Sequence, residues 1–241
     1  MRETPYLKKV FQGWNLYDYI FLAVSVILPV VFTVIFNSSV LECLCTVFAL
    51  FAAIMVAKGK PYAKFISIIA ILIYAYVAYT ASLYGEIIIY LGMALPFAVV
   101  SLVVWLKNKR TDEKQGSVVV VAKVSKKEVI ILLISQAIMG VGYYYLLWAF
   151  GTSYLVISTI CVAANATMYY LFVRRSGYAF VASLAGDLST AVLWAFPVFG
   201  GALNYLPVFV MPFMFLVNDV YGIINWAKLK KSQDKQQTQK A

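Results

Sequence analysis

Apolar residues come in runs of about 20, the length a helix needs to cross the hydrocarbon core of a bilayer. Short polar or glycine-containing connections interrupt them. Eight such spans are read at 18–36, 40–57, 62–83, 86–106, 128–150, 154–173, 178–196 and 206–226. The ten-residue alternation of a transmembrane barrel is absent from the pattern. The expected fold class is therefore an all-α polytopic membrane protein with eight transmembrane helices. The first run is longer than a leader's apolar core and no A-x-A-like site follows it, so a retained helix is expected.

The longest polar stretch, KNKRTDEKQGSVVVVAKVSKKE, divides the spans four and four, and its SVVVVAKV piece reads equally as a short strand or as linker. Segment boundaries follow: 1–39 for an N-terminal tail and helix, 40–106 for three helices, 107–127 for a loop, 128–150 for a linking helix, 151–227 for three more helices, and 228–241 for a polar tail expected to fray.

Charge placement gives the orientation. All twenty Lys and Arg fall at alternate connections: the N-terminus (Arg2, Lys8, Lys9), the 58–64 turn (Lys58, Lys60, Lys64), the 107–127 loop, Arg174 and Arg175, and the tail. The connections near 37–41, 84–86, 151–153 and 197–205 carry none. The positive-inside rule then places both termini in the cytoplasm of a multi-pass protein of the inner (plasma) membrane. The net charge of +10 reads as topology, with attraction to anionic lipid, and not as nucleic-acid binding. With 63% hydrophobic and only 12% charged residues, the composition agrees with the bilayer as the principal partner. No histidine is present, and three cysteines lie inside apolar runs. No metal site, catalytic residue or cofactor motif can be built from these, so neither an enzyme nor a cofactor is expected.

The halves echo one another. Span four ends Trp105-Leu106-Lys107 and span eight Trp226-Ala227-Lys228; spans two and six both end in basic residues. Spans 2–4 and 6–8 thus read as parallel repeats inverted by span five, a 3+1+3 core plus an N-terminal helix, with Trp-x-Lys as an inner-interface anchor.

Polar side chains inside spans mark a cavity or a helix contact. Asp187 shares a helix face with Ser183, Thr190 and Trp194; an ionised aspartate at mid-membrane costs about 2.5–3.5 kcal/mol even on the lenient scale, so something must offset it. Asn165 aligns with Ser158 and Tyr169. Asn218, Tyr221, Gly222 and Asn225 form one face of span eight. Asp219 lies ~10 Å inside the Trp226 interface and suits either a site or a partner lysine. Aromatics make up 16% of the chain, and a tyrosine-rich cavity with amides and a carboxylate suits a flat, hydroxylated, heteroaromatic solute.

TASLYGEIIIYLGMALPFAVVSLVVWLKN, with Tyr84-Gly85-Glu86, Pro96 and Trp105-Leu106-Lys107-Asn108, resembles the PnuC-type nicotinamide riboside transporter family. So do YYLFVRR (169–175) and YGIINWAK (221–228). The resemblance covers about residues 40–231. It implies a SWEET-like 3+1+3 fold, homotrimers, and facilitated diffusion of a nucleoside-like vitamin precursor, nicotinamide riboside by default, which a cytosolic kinase then traps. The helix-face residues above, joined with the positions the family uses around its ligand, give the candidate substrate site Asn165, Tyr169, Phe180, Ser183, Asp187, Trp194, Asn218 and Tyr221. Tyr169 and Phe180 would stack on the solute, and the polar side chains would hydrogen-bond. The chain departs from the family at Phe180, Ser183 and Asp187, where two tryptophans and an amide are usual, at Tyr169, where a glutamine is common, and at Leu91, Val100 and Ser101. Thiamine, riboflavin and deoxynucleosides therefore stay open as solutes. A membrane assembly protein carrying no solute is the alternative of a different class.

Overall fold

The computed structural model describes residues 11–80, 87, 89–112, 114–152, 154–203 and 206–238. The N-terminal cations, the Tyr84-Gly85-Glu86 motif and the facing ends of spans three and four lie outside these. Eight helices are described: α1 Leu16–Phe36, α2 Val40–Ala57, α3 Ala63–Thr80, α4 Leu95–Lys107, α5 Lys126–Ala149, α6 Leu155–Val173, α7 Ala179–Phe199 and α8 Leu206–Thr238. Seven helical stretches among the described residues are long and apolar enough to cross a membrane, α4 counting from Tyr90, and Ala63–Val77 adds a shorter apolar one.

Local chemistry sets several boundaries. Asn15 and Asp18 cap α1 reciprocally: Asp18 N donates to Asn15 Oδ1 (3.1 Å), and Asn15 N to Asp18 Oδ2 (2.7 Å). Ser39 caps α2 and Ser125 caps α5. Ahead of α4, residues Tyr90–Ala94 form a π-helical turn that runs straight into it. Pro96 has no N–H to return to the preceding turn, and the wider turn accommodates that break.

α2 packs on α3 and α3 on α4; α6 packs on α7 and α7 on α8. Two contacts join these trios: α4 lies against α6, and α8 against α2. α5 packs along α6, and α1 along α2 and α8.

The 107–127 connection is more than linker. Strands β1 (Lys109–Asp112) and β2 (Gly116–Val119) form an antiparallel hairpin that lies across one end of the bundle. Val119 N donates to Gly59 O in the α2–α3 turn (2.9 Å), and Ala122 N to Arg175 O in the α6–α7 turn (3.0 Å). Gly59 has φ +66, a conformation that glycine adopts without steric cost.

The tail also differs from expectation. α8 does not fray after Trp226 but runs to Thr238. Lys, Gln and Leu in this stretch are good helix formers, and Gln233 ties it down. Its Oε1 accepts from Val121 N and its Nε2 donates to Val119 O, both at 2.9 Å.

The tryptophans of the two Trp-x-Lys motifs are not interfacial belt residues. Trp105 and Trp226 are fully buried with ring centroids 5.4 Å apart, and they head a core shared with Phe172 and Phe180. Nor are the lysines of the 58–64 turn surface charges. Lys58, Lys60 and Lys64 are all buried. Lys58 Nζ sits 2.7 Å from Asp18 Oδ2 and also donates to Gly13 O (2.6 Å). Lys60 Nζ donates to the carbonyls of Gln12 and Gln115. Satisfied donors of this kind let a buried ammonium persist.

Candidate functional site

A cavity of about 230 Å³ lies between the two helix trios. One flank comes from α2, α3 and α4 with the π turn. On α3, Lys64, Ser67, Ile71 and Tyr74 face it at i, i+3, i+7 and i+10, one stripe of a regular helix. On the opposite flank α6 contributes Ser158, Cys161, Asn165 and Tyr169; α7 contributes Phe180, Ser183, Asp187, Thr190 and Trp194; α8 contributes Asn218 and Asp219.

The structure therefore brings Asn165, Tyr169, Phe180, Ser183, Asp187, Trp194 and Asn218 to one cavity. Tyr221 stands apart. Its ring packs on Tyr17 (centroids 4.4 Å), and its hydroxyl faces the Asp18–Lys58 pair, 3.4 Å from Lys58 Nζ. Half a helical turn separates Tyr221 from Asp219, which turns the tyrosine away from the cavity. Phe180 is in the wall but 1% exposed, its edge against Phe172 (5.2 Å) and Trp226 (5.6 Å). It forms a floor at the hairpin end more than a free stacking face. Gly222 makes room for it, since a Cβ there would collide with the Phe180 ring. Asn225, on the same side of α8, donates to Ala57 O (2.8 Å) and closes the end of α2.

The polar side of the cavity is rich in acceptors. The Asp187 and Asp219 carboxyls both line it, and Ser183 Oγ donates to Asp187 Oδ2 at 3.5 Å. Asp219 Oδ2 and Asn218 Oδ1 are buried with no hydrogen-bond partner among the described residues, and their residues are only 4% and 1% exposed. Buried acceptors left without donors cost about 1–3 kcal/mol each, so this wall is built for something that brings donors or positive charge. Asn165 is anchored by donating Nδ2 to Cys161 O (2.9 Å), and Cys161 Sγ contacts Thr190 Oγ1 (3.1 Å).

Rings complete the lining. Tyr74 stacks on Tyr90 (4.1 Å), and Tyr169 on Phe97 behind it (6.3 Å). Lys64 is the one cation among the described lining residues. Its Nζ sits over the faces of Phe172 (3.9 Å) and Trp105 (5.1 Å), a cation–π cage at the hairpin end.

Two residues of this site, Lys64 and Asp219, are not assigned to it by sequence pattern alone. Lys64 was counted with the connection, although the α3 stripe places it one face with Ser67 and Tyr74. From its position in the sequence Asp219 suits a site or a partner lysine equally, and only the packing of α8 on α7 places it in the cavity wall.

The profile of the nicotinamide mononucleotide transporter family matches residues 39–228. The chain is similar to the nicotinamide riboside transporter PnuC of Neisseria mucosa, 27% identical over 225 residues that cover 93% of this chain and 86% of the relative. It is similar also to the nicotinamide riboside transporter PnuC of Haemophilus influenzae, 23% identical over 226 residues, 93% of this chain and 96% of the relative. In fold it matches the crystal structure of the vitamin B3 transporter PnuC with a TM-score of 0.84 at 24% identity, covering 94% of this chain and 97% of that one.

Proposed function

The chain belongs to the nicotinamide mononucleotide transporter family, and we propose that the solute it takes up is nicotinamide riboside. It is a multi-pass membrane transporter and not an enzyme. The observation that carries the choice of solute is the cavity wall where Asp187, Asp219 and the free Asn218 carbonyl meet. A ribosylpyridinium ion brings one positive charge, an amide and hydroxyl donors, and a flat ring. These match the carboxyl pair, the bare acceptors, and the Tyr74, Tyr90 and Tyr169 rings. The phosphorylated mononucleotide would set a dianion beside two carboxyl groups, a costly like-charge contact, so the riboside fits better. The curated relatives carry the riboside in their names as well.

The bundle is read as two parallel three-helix repeats, α2–α4 and α6–α8, joined by α5 and preceded by α1. Reciprocity supports this. The last helix of each repeat packs on the first helix of the other, and Trp105 Nε1 donates to Phe172 O (2.7 Å) while Trp226 Nε1 donates to Val56 O (3.0 Å). The hairpin end is taken as cytoplasmic in an inner (plasma) membrane, which the positive-inside distribution of Lys and Arg supports. Transport is facilitated diffusion, in which one repeat moves against the other around the midplane site. Pro96 and Pro212, where helix hydrogen bonding is already interrupted, absorb the change. A homotrimer and a cytosolic kinase that traps the riboside complete the proposal.

Thiamine is the second reading. Asp187 stands where the family resemblance leads one to expect an amide, and thiamine combines a cationic ring with an aminopyrimidine donor. The test is thermal stabilisation of the purified protein by nicotinamide riboside, the mononucleotide, thiamine, riboflavin and deoxynucleosides. A ligand at a hundred times its Kd adds ~2.7 kcal/mol. Stabilisation by the riboside and not by the mononucleotide is expected. A thiamine response would move the assignment to that vitamin. Silence from a well-folded protein would move the assignment to a solute outside this panel.

A further inference from the structure

Lys64 lies in the first turn of α3, 5% exposed, and lines the cavity from the side of the first helix trio. The two lysines just before it are buried as well, but their ammonium groups are provided for. Lys58 donates to Asp18 and to Gly13 O, and Lys60 to the carbonyls of Gln12 and Gln115. Among the described residues the hydrogen-bonded ammonium groups are these two. The ion pairs there are Lys58–Asp18, Arg110–Asp112 and Arg174–Glu128, so Lys64 has no carboxylate either. It is held against two ring faces, Phe172 and Trp105. Rings attract the charge of an ammonium, yet its three N–H donors still lack an oxygen. A cation taken out of water in this condition gains from any anion that reaches it.

The bare acceptors belong to the other flank. Asp187 lines the cavity from α7, and Asn218 and Asp219 from α8. Asp219 Oδ2 and Asn218 Oδ1 have no hydrogen-bond partner among the described residues. Neither aspartate is ion-paired to Lys64. One cavity thus holds an unpaired ammonium on one flank and unpaired acceptors on the other. A solute that is only cationic answers the acceptors and leaves Lys64 with a neutral oxygen at best. A solute with a positive and a negative end answers both flanks.

We propose that Lys64 is a carboxylate-binding residue of the cavity, and that the protein takes the zwitterionic acid counterpart of nicotinamide riboside at least as tightly as the carboxamide. In this counterpart a carboxylate stands on the pyridinium ring where the riboside has its carboxamide. The two groups are planar and nearly isosteric, so a cavity that admits one admits the other, and charge is what separates them. The carboxylate meets Lys64 on α3; the ring cation and the ribose hydroxyls meet Asp187, Asn218 and Asp219. In that orientation a phosphate on the ribose would fall among the carboxyl groups, in keeping with a riboside and not a mononucleotide. The inference rests on the reading of the solute as a ribosylpyridinium. It adds the class of substituent the ring carries and the residue that reads it.

Calorimetry on the purified full-length protein with the acid and the carboxamide ribosides tests it. In the wild type the acid should bind at least as tightly as the carboxamide. Lys64→Met keeps the apolar stem and removes the charge. It should lower the ratio of acid to carboxamide affinity by about thirtyfold or more, the scale of losing one partner of a buried charge pair. Lys64→Arg should restore most of that ratio. A residue that only packs the cavity end would move both affinities together, so an unchanged ratio in Lys64→Met overturns the proposal. Weaker binding of the acid by the wild type overturns it too and leaves the riboside assignment intact. That comparison needs no variant and decides the matter if Lys64→Met does not fold. If neither riboside binds a well-folded wild type, the reading of the solute fails and this inference fails with it.

Discussion

Trp105 and Trp226, 121 positions apart in the chain and fully buried side by side, are joined to opposite halves of the bundle by matching bonds. Each indole N–H reaches a last-turn carbonyl of the other half's first helix, Phe172 in one case and Val56 in the other. Replacing either tryptophan by phenylalanine keeps a ring and removes the donor. Each single change should cost about 1–3 kcal/mol, the penalty for a buried carbonyl left without its partner. Because the rings touch, the double variant should depart from additivity. Thermal melts of the four proteins in one detergent would show both effects.

Asp187→Asn keeps a polar side chain of the same shape beside Ser183 and Asp219 and removes the charge. Uptake of a cationic riboside into proteoliposomes should fall by about tenfold to a hundredfold, the scale of losing one partner of a desolvated charge contact. Uptake of the neutral dihydroriboside should hold. Equal losses for both solutes would mean that Asp187 shapes the cavity and does not read charge.

Lys58 and Asp18 form an ion pair sealed from solvent, their side chains 4% and 0% exposed. Lys58→Met alone should destabilise the protein by about 3–5 kcal/mol, because it strands the aspartate. Lys58→Met with Asp18→Asn should recover much of that loss. The comparison needs only the melting temperatures of the single and double variants.

Gly222→Ala tests the fit between α8 and the cavity floor. The added methyl must displace the Phe180 ring, an overpacking change that costs about 1–3 kcal/mol. Phe180→Leu in the same background should restore part of the stability, and a double-variant melt would check this.

Length and hydropathy made the helices legible, since about 20 apolar residues admit few alternatives in a chain of this composition. The helix faces of α6 and α7 were legible too: Asn165 with Ser158 and Tyr169, and Asp187 with Ser183, Thr190 and Trp194, share a cavity as their spacing implies. What one dimension hides is the partner. A lysine in a turn reads as a topology signal whether it meets water or, like Lys58, a buried carboxylate from 40 residues away. A tryptophan near a lysine reads as a membrane-interface anchor, yet Trp105 and Trp226 found each other. Asp219 is 32 positions from Asp187, and only the packing of α7 on α8 brings them together. The extension of α8 past Trp226 was hidden because its restraint, Gln233, grips a hairpin from the middle of the chain.

That grip has a consequence for the order in which the protein is made. Val119 is held by a side chain that is synthesised 114 residues later. The hairpin and the first four helices therefore leave the ribosome with this clasp still unwritten, and until the last turns of α8 emerge the hairpin has only its bonds to the α2–α3 and α6–α7 turns to hold it. A chain halted after Trp226 would keep the apolar runs of all eight spans read from the sequence and lack the Gln233 contacts to Val119 and Val121.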